Sequence, residues 1–164
     1  MNIKIRKTLL EDAYDFTDCM TSCWQTAYKG IVSDDYLDNL LARREEGAEK
    51  FRKNLKNNDL EIYCVMLKSK MIGFLTIHKK EGEIWAIYLL EKFRSMGYGK
   101  EILNFAINEL TNRGHNIISL WVFDENHKAI RFYEKNGFSF SGIKRENDKY
   151  GKSLVQSKYE LSSP

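Results

Sequence analysis

The hydrophobic pattern of the chain changes its period near Glu61, and this change constrains the fold more than any other feature of the sequence. Beyond it, three apolar runs of extended type follow one another, at residues 62–67, 71–78 and 83–90, with short turns between them. Runs of this length that are rich in β-branched and aromatic residues are typical of strands. Because short turns join strands that run in opposite directions, the sequence predicts three consecutive antiparallel strands.

Helical spacing dominates the sequence before this three-strand unit. Residues 3–5 alternate apolar and polar side chains and predict a short first strand. The segment Thr8-Leu9-Leu10-Glu11 has the form of a capping box and predicts a helix from there to about Thr26. The segment Ser33-Asp34-Asp35 predicts the start of a second helix, and a third, highly charged helical stretch extends to about Lys56.

Helices and strands alternate after the three-strand unit. A helix is predicted at residues 97–113, a strand at 117–123, a helix at 126–136, and two closing strands that turn near Gly151. The predicted order is β-α-α-β-β-β-α-β-α-β-β. We therefore expect an α/β (α+β) fold with a mixed, mostly antiparallel central sheet flanked by helices.

The composition fits one folded domain without a nucleic-acid partner. The chain has 164 residues, 43% of them apolar, and its 30% of charged residues leave a net charge of only +3. This length is typical of a single domain, and we expect residues 1–164 to form one. No linker or repeat interrupts the chain, whose only proline is Pro164. The near balance of charge argues against a disordered chain and against a nucleic-acid-binding domain, which needs a concentrated basic face.

The cysteines and histidines predict packing residues rather than a metal site. Cys19 and Cys23 lie close together on a predicted helix, but the three histidines are distant in sequence and show no ligand spacing. The three cysteines cannot all pair with one another, and no apolar leader precedes them. No segment approaches the roughly 20 apolar residues of a membrane span. We therefore expect a cytoplasmic protein that stays out of the membrane and holds no metal.

A turn with two glycines lies between the last of the three predicted strands and the next helix. It has the sequence Arg94-Ser95-Met96-Gly97-Tyr98-Gly99-Lys100. Unpaired N–H groups at a helix start and the helix dipole favour an anion there, and glycines let it approach the backbone, so the turn suits a diphosphate. Arg94 and Lys100 add positive charge. Taken alone, the pattern fits an ordinary glycine turn with a surface arginine equally well.

A second segment has the sequence Asn126-His127-Lys128-Ala129-Ile130-Arg131-Phe132-Tyr133-Glu134-Lys135-Asn136-Gly137-Phe138. Together the two segments resemble the GNAT superfamily of acyl-CoA-dependent N-acetyltransferases. The first is similar to its Arg/Gln-x-x-Gly-x-Gly/Ala motif, and the second to its Asn-x-x-Ala-x-x-Phe-Tyr-x-x-x-Gly-Phe motif. The number of residues between the two segments also resembles the spacing of these motifs in the family. Residues 24–31 resemble a stretch of many small bacterial-type members, so the resemblance covers most of the chain.

The resemblance implies acetyl-CoA as co-substrate and assigns its parts to residues of this chain. The main-chain N–H groups of residues 94–100 would hold the pyrophosphate. The backbone of Tyr88 and Leu89 would pair with the pantetheine arm, where the strands of the family splay apart. Asn126 would contact the coenzyme near the pantetheine or the phosphates, and Tyr133 would reach the thioester sulfur.

Acetyl transfer to an amine needs a neutral nucleophile, a polarised thioester carbonyl and a proton for the leaving thiolate. Members that acetylate lysine often place a glutamate where this chain has Glu83, which makes Glu83 the candidate general base. Glu81 is a weaker candidate, and the alternative for Glu83 is a solvated carboxylate beside a turn. The Leu89 N–H would polarise the carbonyl. Tyr133 is the candidate general acid, although spacing by itself favours a tyrosine packed on the sheet.

The sequence leaves the acceptor open. Trp24 and Tyr28 lie in the region that lines the acceptor cleft of the resembled family, where aromatic faces attract cationic amines; they fit a core seam between helices equally well. Small-molecule amines, including polyamines, antibiotics and amino acids, and the amines of peptides and proteins all fit the family. Homodimers are common in it. The competing function is a non-catalytic acyl-CoA-binding or regulatory module, against which Tyr133 and Asn126 argue.

Overall fold

The computed structural model describes residues 2–162, which contain one seven-stranded sheet with the order β1-β2-β3-β4-β5-β7-β6. The strands are β1 Lys4–Lys7, β2 Leu60–Leu67, β3 Lys70–His78, β4 Glu83–Leu89, β5 Ile117–Phe123, β6 Ser139–Asn147 and β7 Leu154–Ser162. The helices are α1 Ala13–Ala27, α2 Asp34–Ala42, α3 Arg44–Leu55, α4 Tyr98–Thr111 and α5 His127–Lys135. Single helical turns lie at Leu10–Asp12 and Glu91–Phe93. Pro164 lies outside the described residues.

The predicted three-strand unit is confirmed as β2, β3 and β4, which pair antiparallel in consecutive order. The turns between them contain Lys68 and Gly82, both in the left-handed region with φ of 56° and 65°. A Cβ at Gly82 would lie 2.7 Å from Nδ1 of His115, so this turn needs glycine for space as well as for conformation. β3 is buried along its length beyond Lys70, which explains its nearly continuous apolar sequence.

The start of α1 differs from the prediction. Thr8 does not cap the helix, because its hydroxyl donates instead to the Ile62 carbonyl on β2, at 2.9 Å. The backbone N–H of Leu9 is instead bonded to the Asp12 carboxylate, which accepts its hydrogen bond at 2.7 Å. After a single 3-10 turn, the helix begins at Ala13.

Helices cover both faces of the sheet. α4 and α5 contribute to the core on one face, and α1 packs against β3 and β4 on the other. Three helices follow β1, which confirms the three predicted helical stretches and corrects the predicted order, in which only two helices follow the first strand; α2 ends at Ala42 and α3 begins at Arg44. Ser33 caps α2 as predicted, its hydroxyl oxygen accepting from the Tyr36 N–H at 3.3 Å.

The three cysteines are packing residues, as predicted. Cys19, Cys23 and Cys64 are free and buried in a cluster with Phe74 between α1 and the sheet. Within residues 2–162, no His, Cys, Asp and Glu side chains gather in threes as a metal site would need. None of the helices in that same stretch has the length and apolar character to cross a membrane.

β4 and β5 run parallel but pair at only two positions of β4, Glu83 and Ile84. Beyond them the two strands separate, and a β-bulge in β4, where the pairing with β3 skips Trp85, lies at the point of separation. The resulting gap opens at the carboxyl ends of adjacent parallel strands. Sheets of this kind bind their ligands at such positions.

Candidate active site

A cavity of about 1180 Å³ occupies the gap between β4 and β5. The predicted site residues that line it are Tyr28, Tyr88, Leu89, Arg94, Ser95, Gly97, Gly99, Lys100, Asn126 and Tyr133. The others lie beside it. Trp24 packs against two of the lining tyrosines, Tyr98 packs on the core, Met96 is exposed, and Glu83 directly precedes the first lining residue of β4.

The glycine turn forms the start of α4. Gly97 has a left-handed backbone, with φ of 88°, and the N–H groups of Lys100 and Glu101 both donate to its carbonyl, at 3.1 and 3.3 Å. The Gly99 amide, which precedes these two, lies at the helix N-terminus, where N–H groups point out of the helix. Nothing lies within 4 Å of a Cβ built on Gly97, so the approach to the backbone is open. The turn has the geometry of an anion site.

The end of β4 presents a backbone N–H to the gap. β3 approaches so closely that a Cβ on Gly73 would collide with the carbonyl oxygen of Tyr88, which therefore faces β3. In a trans peptide the next N–H points the opposite way, so the Leu89 N–H is directed into the cavity. The Leu90 N–H turns back and donates to the Ile72 carbonyl at 2.8 Å. A dipole fixed in this way can polarise a carbonyl without reorganisation.

The Arg94 side chain is directed at protein carbonyls rather than at the mouth of the turn. Its Nε donates to the Leu89 carbonyl at 3.0 Å, and its Nη2 donates to the Thr26 hydroxyl at 2.7 Å and to the Cys23 carbonyl at 3.4 Å. The cation lies at the carboxyl end of α1, where the helix dipole favours it. Arg94 thus fastens the glycine turn and the end of β4 to the helix that carries Trp24.

Tyr133 lies on α5 with its ring against Phe132 and Phe138, at centroid distances of 5.3 and 5.8 Å. Among residues 2–162 its hydroxyl has no hydrogen-bond partner, and the residue lines the cavity. Burial raises the pKa of Tyr133, and the nearby Tyr28 raises it further, so the phenol keeps its proton at neutral pH. Asn126 caps α5, accepting from the Ala129 N–H at 3.3 Å, and leaves its amide N–H₂ for a ligand.

Tyr28 and Tyr88 share a short hydrogen bond between their hydroxyls, a contact that the sequence did not predict. Burial raises the pKa of Tyr28 to about 12 and holds that of Tyr88 well above its usual value. Tyr133 lines the same cavity as these two tyrosines. The sequence implicated Tyr88 only through its backbone, although its place between Ala86 and Leu90 on one strand face was a usable signal.

An aromatic cluster forms one wall of the site: Trp24, Tyr28, Tyr36, Tyr88, Phe123 and Tyr150. Tyr28 is only 8% exposed and still lines the cavity, so it fits both the core and the cleft interpretation, whereas Trp24 packs behind it against Tyr28 and Tyr88 without lining the cavity. Tyr150, which the sequence did not single out, comes from the β6–β7 loop. Its carbonyl accepts from the Ser33 N–H at 3.3 Å, and this bond ties the loop to the start of α2.

Glu83 is half-buried at the start of β4. Burial raises its pKa, and the charge of Glu81 raises it further. Arg145, Lys158 and the Trp121 indole act in the opposite direction, and the net result is a raised pKa. A carboxylate with a raised pKa is closer to neutral pH, where a general base is most effective.

Basic side chains outnumber acidic ones in the cavity wall. The basic ones are Lys29, Arg94, Lys100, Lys128, Arg131 and Lys135, and the acidic ones are Glu91 and Glu125. An excess of positive charge in a partly enclosed cleft attracts anions. The cavity therefore fits a phosphate-bearing ligand.

Comparisons with known proteins agree with this geometry. The sequence profile of the Acetyltransferase (GNAT) family matches residues 16–138, well over half of the chain. The chain is 27% identical to a spermidine N(1)-acetyltransferase of Thermoplasma acidophilum, over 98% of this chain and 99% of that protein. It is 26% identical to the uncharacterized N-acetyltransferase YuaI of Bacillus subtilis, over 87% of this chain and 88% of that protein.

Solved structures show the same fold. A PaiA N-acetyltransferase from Thermoplasma acidophilum, in complex with coenzyme A, superposes with a TM-score of 0.76 at 24% identity and 99% coverage of both chains. A GCN5-related N-acetyltransferase from Rhodopseudomonas palustris superposes with a TM-score of 0.82 at 17% identity, over 99% of this chain and 96% of that one.

Proposed function

This chain belongs to the GNAT family of acetyltransferases, and we propose that it acetylates a small primary amine in the cavity between β4 and β5. It is an N-acetyltransferase that takes the acetyl group from acetyl-CoA and transfers it to an amine. The observation that carries the proposal is the cavity itself, which is lined by residues of the glycine turn, by Leu89 and by Tyr133.

Acetyl-CoA binds along the open edge of β4. The amides at the start of α4 hold its pyrophosphate, supported by Gly97, which leaves the backbone accessible. Lys100 and the basic side chains of α5 attract the phosphates. The pantetheine arm pairs with the backbone of Tyr88 and Leu89 in the place of a missing strand, as extended peptides pair with sheet edges. Asn126 contacts the arm or the phosphates from the start of α5.

The acetyl group passes directly to the amine while both substrates are bound. Glu83 accepts a proton from the ammonium, directly or through water, and the neutral amine attacks the thioester carbonyl to form a C–N bond. The Leu89 N–H stabilises the developing oxyanion. As the C–S bond breaks, Tyr133 donates its proton to the sulfur and the adduct nitrogen releases its second proton to solvent, so that the products are free coenzyme A and an amide; Glu83 then gives up the first proton to solvent. Solvent returns the proton to Tyr133.

Acetylation of a small amine is favoured over a purely regulatory role as an acyl-CoA-binding module. The spermidine N(1)-acetyltransferase relative, aligned over nearly the whole chain, supports a small-molecule acceptor. Aromatic faces such as those of Trp24 and Tyr28 attract a cationic amine, each contact contributing on the order of 0.5–2 kcal/mol. A module that only binds acyl-CoA has no need of an unpaired tyrosine hydroxyl in the cavity. We place the whole chain, residues 1–164, in one catalytic domain.

We also place this domain in the cytoplasm. Its three thiols are free and buried, which is typical of proteins kept in a reducing compartment.

The test is amine-dependent release of free coenzyme A from acetyl-CoA. Purified protein is incubated with a library of primary amines that includes polyamines, amino acids, aminoglycosides and short peptides, and the acetylated product is identified by mass spectrometry. We expect release with a small amine and none without one. Tight binding of acetyl-CoA in a calorimeter, without turnover of any amine, would instead identify a binding module.

A further inference from the structure

The guanidinium of Arg145 on β6 is held in a fixed orientation beside the cavity. It lies over the Trp121 ring, 4.0 Å from the centroid, and its Nε donates to Oε1 of Gln156 at 2.8 Å. Gln156 is buried, 8% exposed, and the same oxygen accepts from Asn147 at 3.4 Å. A buried amide and an aromatic face therefore determine where this cation points.

The outer fork of this guanidinium is unused. In residues 2–162, no carboxylate lies within ion-pair distance of Arg145, and no acceptor takes a hydrogen bond from its Nη atoms. Arg6, Arg44 and Arg113 each contact a carboxylate, at 2.8, 2.6 and 2.6 Å. An oriented arginine with free Nη groups is preorganised for a planar anion, which it binds through two parallel hydrogen bonds.

Arg145 also lies next to the proposed general base. Trp121 and Gln156, which hold Arg145, both line the cavity. Glu83 pairs with Ser119 on β5, and Ser119 and Trp121 lie two residues apart on one face of that strand, so the base lies on the face that carries the Trp121 ring and Arg145. Lys158 is the direct cross-strand partner of Trp121 and shares its face of the sheet. An amine that reaches Glu83 therefore extends its substituents over Trp121 towards Arg145.

We propose that Arg145 binds a carboxylate of the acceptor, so that the enzyme acetylates an amine that also carries a carboxylate, as amino acids do. The inference rests on the proposed function and names its substrate class. Lys158 already lies 3.6 Å from Glu160, so the assignment depends on Arg145. A polyamine would bring a second ammonium towards Arg145, and the repulsion between like charges disfavours it.

The test compares amino acids with the amines produced from them by decarboxylation. Ornithine is paired with putrescine, lysine with cadaverine and arginine with agmatine, and the panel extends to the other common amino acids. We expect an acid whose kcat/KM is at least about tenfold higher than that of its decarboxylated partner, because only the acid fills the arginine fork. Equal values in every pair, a preference for the decarboxylated amines, or no turnover of any amino acid would overturn the proposal.

Substitutions at Arg145 separate recognition from packing. In Arg145→Gln the ratio of the two kcat/KM values should fall towards one, because the loss of charge beside Glu83 affects both amines whereas only the acid loses its partner. Arg145→Lys keeps the charge but loses the fork, and should give an intermediate ratio. Lys149→Gln removes the same charge from the exposed β6–β7 loop and is the matched control, with an unchanged ratio.

A purely structural Arg145 predicts a different result. If it only covers Trp121, Arg145→Gln lowers the melting temperature and affects both members of each pair equally, which would overturn the proposal. Acetyl-CoA affinity, measured by calorimetry, should be the same in wild type and variant. If the proposed function itself is wrong, no amine will cause release of coenzyme A. If amines are acetylated but those with a carboxylate are not preferred, only the present inference is wrong.

Discussion

At the scale of single residues, three tyrosines line the cavity between β4 and β5: Tyr28, Tyr88 and Tyr133. Tyr28 and Tyr88 bond to each other, whereas the Tyr133 hydroxyl has no partner among the described residues. Burial raises the pKa of all three, which keeps them protonated at neutral pH. Tyr133 is therefore the phenol whose proton is free for transfer, and its role can be tested by removing one oxygen atom.

Tyr133→Phe should lose a factor of about 10²–10⁴ in the chemical step, with acetyl-CoA affinity and melting temperature little changed, because only the proton donor is removed. Single-turnover kinetics measure the step. The defect should shrink with an acyl donor whose leaving thiol has a lower pKa. Tyr14→Phe, which removes an exposed hydroxyl bonded to Glu45, is the matched control and should be neutral. Chemistry within threefold of wild type in Tyr133→Phe would leave protonation of the thiolate to water.

The pH dependence tests Glu83. A general base works when deprotonated, so kcat/KM should fall as the pH decreases through the pKa of Glu83. Burial and Glu81 raise that pKa, so the acid limb should lie above the usual glutamate value of about 4.3. Glu83→Gln should lower kcat/KM and abolish this limb. If Glu83→Gln kept the acid limb, the limb would belong to another group. Glu81→Gln would then show whether that group is Glu81.

At the scale of elements, two local devices shape the donor site. The separation of β4 from β5 leaves a strand edge open, and the glycine turn presents helix amides at its end. Arg94 links the two devices, because its side chain bonds both the Leu89 carbonyl and the Thr26 hydroxyl on α1. Donor and acceptor walls are thus fastened by one side chain, which explains the position of an arginine at the start of this turn.

Substitution of Gly97 should weaken acetyl-CoA binding. Gly97→Val places a β-branched side chain at a φ of 88° and blocks the approach of phosphate to the amides. Gly97→Asn tolerates the left-handed backbone, so any loss of affinity in it reports the blocked approach alone. Calorimetry should show weaker binding in both variants. If Gly97→Asn bound acetyl-CoA like wild type, the glycine would serve conformation rather than the ligand.

At the scale of the whole molecule, a ligand that spans the cavity joins elements that are distant in sequence. Acetyl-CoA at one hundred times its dissociation constant should add ~2.7 kcal/mol to the free energy of unfolding. For a chain of this size each kcal/mol corresponds to about 2–4 °C in melting temperature, so a thermal scan resolves the effect. NAD should give a much smaller shift, because it shares the pyrophosphate but lacks the pantetheine arm that would pair with the backbone of Tyr88 and Leu89. Equal shifts from both would contradict the donor assignment.

The sequence by itself determined the elements and the donor turn. The three-strand unit, the Ser33 cap and the glycine turn are encoded by neighbouring residues, because hydrophobic period, capping and helix N–H groups are local properties. The prediction of a capping box at Thr8 was wrong, because the Thr8 hydroxyl donates instead to the distant Ile62 carbonyl. The motif resemblance supplied the candidates Asn126 and Tyr133, whereas spacing alone favoured a Tyr133 packed on the sheet.

Only the tertiary structure decided how the site is assembled. The Tyr28–Tyr88 bond, the contact of Arg94 with α1 and the stacking of Arg145 on Trp121 each join residues far apart in sequence. No periodicity records which side chain from a distant strand or loop meets another, because such contacts follow from how the helices and the β6–β7 hairpin pack on the sheet. The proposed donor site thus depends on local sequence, whereas the proposed acceptor site depends on how distant elements pack together.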